Sequence, residues 1–142
     1  MCIAAVAASA VWQPAWARGG DCLGRLRHAL IKGGYSGATE CAKFHIHLGT
    51  VGVISVGRKY YRIYGLHYHW FTPGGANHGG QRLLFFDRRG GYVGQYGVLG
   101  DEPFHVDGHA LVAGAPKSRL VITSRGPSAW ARLEGTDVDF YR

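Results

Sequence analysis

Histidines set in pairs are the residues with the most chemistry to offer. The chain has eight His, and His45 and His47 are separated by one residue, as are His67 and His69. Side chains alternate between the two faces of an extended strand, so each pair projects to one side. Two imidazoles so placed can reach one ion, and two such pairs on neighbouring strands would supply four nitrogen ligands to Zn²⁺ or Cu²⁺. The segment His105-Val106-Asp107-Gly108-His109 sets a carboxylate between two more imidazoles. The candidate metal set is therefore His45, His47, His67, His69, His105, Asp107 and His109. None of these spacings is a recognised ligand signature such as H-E-x-x-H. Solvent-facing or hydrogen-bonded strand histidines are the competing interpretation, and Asp107-Gly108 has a structural alternative as the centre of a type I′ turn.

A second group is aromatic. Tyr60, Arg62, Tyr64, Leu66, Tyr68 and Trp70 fall on one face of an extended run, with Tyr61, Ile63, Gly65, His67 and His69 on the other. Left exposed, Tyr60, Arg62, Tyr64, Tyr68 and Trp70 would form a stacking surface for sugars or bases. Buried, the same rings would be core. Gly65 marks a bulge or the close approach of another backbone.

Several chemistries lack their residues. The glycine-rich stretch Gly74 to Gly80 is read as a loop with no Gly-Lys-Ser/Thr after it, which argues against a phosphate cradle. Ser55, in Gly52-Val53-Ile54-Ser55-Val56-Gly57, misses the G-x-S-x-G spacing by one residue, which disfavours a serine hydrolase. Asp137 and Asp139 are the one close acidic pair on an expected strand, and nothing distinguishes them from a solvated edge.

Charge is uneven along the chain. The net +7 arises wholly before Gly90: Arg18 to Arg89 holds 11 basic and 3 acidic residues, whereas Gly90 to Arg142 holds 5 and 6. Such a balance suits an anionic polymer, a polysaccharide or an envelope surface, with nucleic acid a less expected partner. Arginine outnumbers lysine 12 to 4, which a GC-rich coding sequence would also produce.

The elements that position these groups follow from composition and period. A chain of 142 residues, 46% hydrophobic, is the size of one domain, and 23 Gly with eight Tyr, six Phe and four Trp point to a turn-rich β protein. Residues 1–17 carry no charge, with an apolar run from Ile3 to Trp12 and an Ala15-Trp16-Ala17 pattern, and are read as a secretory signal preceding a single domain over 18–142. The run is shorter than the ~20 residues a membrane span needs. A secreted or periplasmic location is expected, with no transmembrane segment in the mature chain.

From Asp21 as N-cap, Leu23, Leu26 and Leu30 form one stripe that ends at Gly33-Gly34, which predicts an amphipathic helix. The period then changes to two. Strands are expected from Cys41 to Leu48, Val51 to Val56, Tyr60 to Phe71, Gln81 to Phe86, Tyr92 to Leu99, Phe104 to Val106, His109 to Val112, Ser118 to Thr123 and Val138 to Tyr141. Tight turns join most of them, so the pairing is antiparallel. The expected fold is mainly β (α+β), an antiparallel meander forming a half-open barrel or two-layer sandwich, with one N-terminal amphipathic helix.

These features suit a small exported binding or envelope-associated module better than a catalyst. A metal-binding protein or metal-dependent enzyme using Zn or Cu is the alternative, and a structural or protein-interaction domain is the third reading. Removal of the signal would leave Cys22 and Cys41 as an even pair in an oxidising compartment. A disulfide between them would stabilise the fold by about 3 kcal/mol on the chain-entropy model. Intact mass of the mature protein is expected to rise by two hydrogens on reduction; an unchanged mass would mean two free thiols.

Overall fold

The structure is a computed structural model that describes residues 24–37, 45–100, 102–114 and 118–142. Cys22, Cys41 and the expected signal segment lie outside the described residues. Among the described residues are one helix, α1 (Gly24–Lys32), and nine strands: β1 (His45–Val56), β2 (Lys59–Phe71), β3 (Asn77–Phe86), β4 (Tyr92–Val98), β5 (His105–Asp107), β6 (Ala110–Ala113), β7 (Ser118–Val121), β8 (Trp130–Leu133) and β9 (Thr136–Tyr141). The protein is mainly β, and every strand pairing is antiparallel.

One sheet has six strands in the order β1-β2-β3-β4-β9-β8, and the other has three in the order β5-β6-β7. The small sheet lies over one face of the large one. Ile54, Ile63, Leu83, Phe85 and Tyr96 of the large sheet form one core with Leu111 and Leu120 of the small sheet and Leu133 of β8. At the margins β5 lies beside β1 and β7 beside β8 without a hydrogen-bonded ladder, so the sheets do not close into a barrel.

The opposite, outer face of the large sheet is covered by α1. Leu30 and Tyr35 pack there with Ile46, Tyr64, Leu66, Leu84, Phe86 and Tyr92. Burial on both faces explains the unbroken run Leu83-Leu84-Phe85-Phe86, which a half-solvated strand would interrupt with polar residues. The helix ends in a Schellman cap: the Gly34 amide donates to the Ile31 carbonyl and the Tyr35 amide to the Leu30 carbonyl, both at 3.0 Å. Gly34 takes a φ of 90°, which glycine adopts without Cβ strain. The Tyr92 amide then donates to the Gly33 carbonyl (2.7 Å) and ties the helix end to β4.

Four expectations are corrected. The stretches read as Cys41–Leu48 and Val51–Val56 belong, where described, to the single strand β1; Val51 is an extra residue between the pairs Thr50↔Tyr64 and Gly52↔Ile63. The bulge therefore lies on β1 rather than at Gly65, and a Cβ on Gly52 would sit 2.6 Å from Val106 of β5. Asn77 to Gly80 are strand, not loop. Their glycines make room for neighbours, since a Cβ on Gly80 would lie 2.9 Å from the Tyr68 hydroxyl and one on Gly79 would lie 2.6 Å from His69 Nδ1. The β5–β6 loop is Gly108-His109, flanked by the pair Asp107↔Ala110, and of its two residues only Gly108 has positive φ (60°). That is the pattern of a type II′ turn, one residue on from the expected Asp107-Gly108 centre.

Among the described residues two hydroxyls are buried without a hydrogen-bond partner, those of Tyr35 and Tyr92, whose rings meet edge to face at 5.3 Å. Burial pushes Tyr92 from 10.0 up to about 12. Burial also raises Tyr96, whose hydroxyl donates to the Ser128 carbonyl at 2.6 Å. A phenol with a raised folded pKa contributes stability that is complete below its unfolded pKa and is lost as pH rises through the folded one. The denaturant midpoint is therefore expected to fall between pH 10 and about 12. Tyr92→Phe keeps the ring, leaves neutral-pH stability nearly unchanged and flattens that fall; an unaltered slope in urea titrations across this range would contradict it.

Candidate functional site

Antiparallel order dictates which loops share an end. Because β2 and β3 are neighbours, with Arg62 opposite Phe86, the β1–β2 turn lies beside the β3–β4 turn. The first is a two-residue loop, Gly57-Arg58, in which Gly57 takes a φ of 59°. The second is organised by Asp87, whose Oδ1 accepts the amides of Arg89 (2.8 Å) and Gly91 (2.9 Å). The one carboxylate there is thus engaged by its own turn, and Arg88 and Arg89 are exposed.

Between the turns lies a cleft of about 460 Å³ lined by Arg58, Lys59, Tyr60, Asp87, Arg88 and Arg89. Arg88 sits over the Tyr60 ring at 5.1 Å, a cation–π contact that holds the guanidinium at the mouth. Arg62 follows on the outer face, and the Tyr60 and Tyr64 hydroxyls beside it favour its charged form. The Thr123–Gly126 turn brings Arg125 to the same end, since a Cβ on Gly57 would lie 3.5 Å from Ser124 Cβ.

The aromatic stripe is divided by α1. Tyr64 is core, edge-on to Phe86 at 5.5 Å, while Tyr60 and Arg62 belong to the basic end. Tyr68 and Trp70 emerge at the far end, where they stack on one another (5.7 Å, 11°), and Trp70 stacks on His78 (5.3 Å, 17°). Arg82 lies over Tyr68 at 5.5 Å and donates to the Tyr141 hydroxyl at 3.3 Å. These faces are occupied by one another, so the five residues Tyr60, Arg62, Tyr64, Tyr68 and Trp70 do not form one continuous stacking surface.

Compared with protein-family models, with curated proteins and with solved structures, the chain gives no match. Its site rests on its own geometry.

The histidines divide as well. His45 is opposite His69 and His47 opposite His67, and alternation puts all four on the face that carries Ile54 and Ile63 further along. The His47 and His67 ring centres are 6.3 Å apart. His105 and Asp107 point to the other side of β5 from Val106, which packs on the core, and Asp107 pairs with Arg119 at 2.8 Å. His109 is exposed in the turn. The seven expected ligands therefore do not converge, and among the described residues no three His, Cys, Asp or Glu side chains are grouped as a metal site.

The cleft residues Arg58, Lys59, Arg88 and Arg89 are read from the sequence only as turn residues. The available signal was the repetition of paired cations in two hairpin turns, Arg58-Lys59 and Arg88-Arg89. Their convergence depends on β2–β3 adjacency. If Asp87 organises this cleft, Asp87→Ala should destabilise the fold by roughly 1–3 kcal/mol through two backbone donors deprived of their acceptor. Asp87→Asn, which keeps a side-chain acceptor, should recover most of that loss. Urea midpoints compare the two, and equal effects would mean the carboxylate does not organise the turn.

Proposed function

We propose that this domain is a binding module for an anionic polymer, engaged at the end of the large sheet where the Gly57-Arg58 and Asp87–Gly91 turns meet. The observation that carries the reading is the cleft itself: four cations from two turns and the first residue of β2, with the carboxylate among them engaged by backbone amides. Guanidinium groups match sulfate, phosphate and carboxylate oxygens in forked pairs, and three of the four cations are arginines. Tyr60 provides an aromatic wall behind Arg88.

The scaffold reads as a two-layer sandwich whose edges abut. It fixes the cleft through the β2–β3 ladder, so little ordering of the site would be needed on binding. An export signal at 1–17 would place the acidic polysaccharides and wall polymers of the envelope within reach. A protein-interaction role is the outcome left standing if polyanions fail.

The test is retention of the mature protein on immobilised heparin as salt is raised. Tight retention that weakens steeply with salt is expected. Replacing Arg88 and Arg89 with Ser should move elution to clearly lower salt. The control removes equal charge elsewhere, at Arg119 and Arg132, which are paired with Asp107 and Asp137. Equal losses from the two double variants would reduce the effect to net charge and overturn the cleft.

A further inference from the structure

We infer that the end of the β1–β2 hairpin remote from the basic cleft is a binding site for a divalent transition-metal ion, with His47 and His67 as its first ligands and His45 and His69 completing it. The ladder puts these side chains in two facing pairs, His45↔His69 and His47↔His67. Directly opposed strand positions bring Cβ atoms to about 5 Å. The next facing pair on the same side is Gly49↔Gly65, an absence of side chains in both strands at one level.

The imidazoles lean over that gap. His47 Cε1 lies 3.8 Å from where a Cβ on Gly49 would stand, and His67 Nε2 lies 3.5 Å from the corresponding point on Gly65. Two rings that share one ion through Zn–N bonds of about 2.0 Å have their centres roughly 5 to 6 Å apart. The observed 6.3 Å lies just outside that range, so the rings would have to tilt toward one another to share one ion. His45 and His69 face one another one level further out on the same side, and a change of rotamer would be needed to bring them onto the same ion. A four-nitrogen, carboxylate-free set suits Cu²⁺ or Zn²⁺ and not Mg²⁺ or Ca²⁺, which take oxygen ligands.

A second observation comes from β3. Gln81 stands opposite His67 in the ladder, is fully buried, and its Nε2 donates to the Glu102 carbonyl at 2.7 Å. Its Oε1 is buried with no hydrogen-bond partner. Metal-bound histidines commonly donate their second ring N–H to such an acceptor, which fixes the tautomer that binds. Gln81 is placed to act as that positioning residue for His67, whereas an ordinary core position here would be apolar like the next inward-facing residue, Leu83.

The test uses the full mature chain, purified without a histidine tag and stripped with chelator, titrated calorimetrically with Cu²⁺ and, separately, with Zn²⁺. One ion per chain is expected, with a rise in thermal midpoint that chelator reverses. The ring proton resonances of His47 and His67 should shift together. Because loss of an outer partner alone costs about tenfold or more in affinity, His47→Gln and His67→Gln should each weaken binding by more than that. Substitution of His105 and His109 should leave it unchanged. Far-ultraviolet circular dichroism checks that each variant is folded. Absence of one-to-one binding by either ion, or binding by a folded His47→Gln/His67→Gln double variant at the affinity of the parent, would overturn the site.

Discussion

The antiparallel ladder that joins β1, β2 and β3 holds every candidate surface in place. Side chains on a strand repeat every two residues, so a slip of one position between β1 and β2 would exchange inner for outer faces along the hairpin. Ile54 would leave the core, and His47 would no longer face His67. Two devices pin the register. Gly57-Arg58 closes the hairpin in two residues, and the extra residue at Val51 absorbs the change of spacing needed for Val106 of β5 to lie on Gly52. Apolar burial on both sides of β2 and β3 then makes any other register costly, since large side chains on either face would be exposed to water.

The ladder also separates the molecule chemically. Arg58, Lys59, Arg88, Arg89 and Arg125 gather at one end, whose carboxylate Asp87 is engaged by its turn. At the other end are the imidazoles of His45, His69 and His78, together with Glu102, whose carbonyl accepts from Gln81, and Glu134, whose carboxylate lies against Gly100. A long dimension built of strands keeps the two ends apart. At the second end the Arg82 guanidinium lies on the outer face over Tyr68, and the imidazoles of His45, His47, His67 and His69 lie on the inner face.

Local pattern exposed the hairpins well and the sheet order poorly. Tyr60 to Phe71 and the pair Gln81–Phe86 with Tyr92–Leu99 were legible because alternation and turn residues lie within one short window; the observed β2, β3 and β4 differ from them mainly at their ends. Asn77 to Gly80 has the composition of a loop because glycine has little strand preference on its own; its ladder with Tyr68 to Phe71 of β2 makes it strand, and Gly79 and Gly80 leave room for His69 and Tyr68. The insertion of β9 between β4 and β8 joins residues far apart in the chain, and β8 itself, Trp130–Leu133, carried too short an alternation to be recognised. For the sites, facing imidazoles were legible as two separate pairs, but the ladder was needed to make them meet. The division of the aromatic stripe by α1 had no local signal, since Leu30 and Tyr35 show no preference for Tyr64 until the helix is docked.

At both margins, strands of one sheet stand beside strands of the other without sharing a ladder, with β5 along β1 and β7 along β8. The Glu134 amide, donating to the Ser118 hydroxyl at 2.6 Å, is a stitch across the second of these seams. Unpaired strand edges are templates on which other chains can add, the first step of fibril growth. Here short β5 lies along part of β1 and β7 along β8, so part of each open edge is occupied without the hydrogen-bonded closure of a barrel.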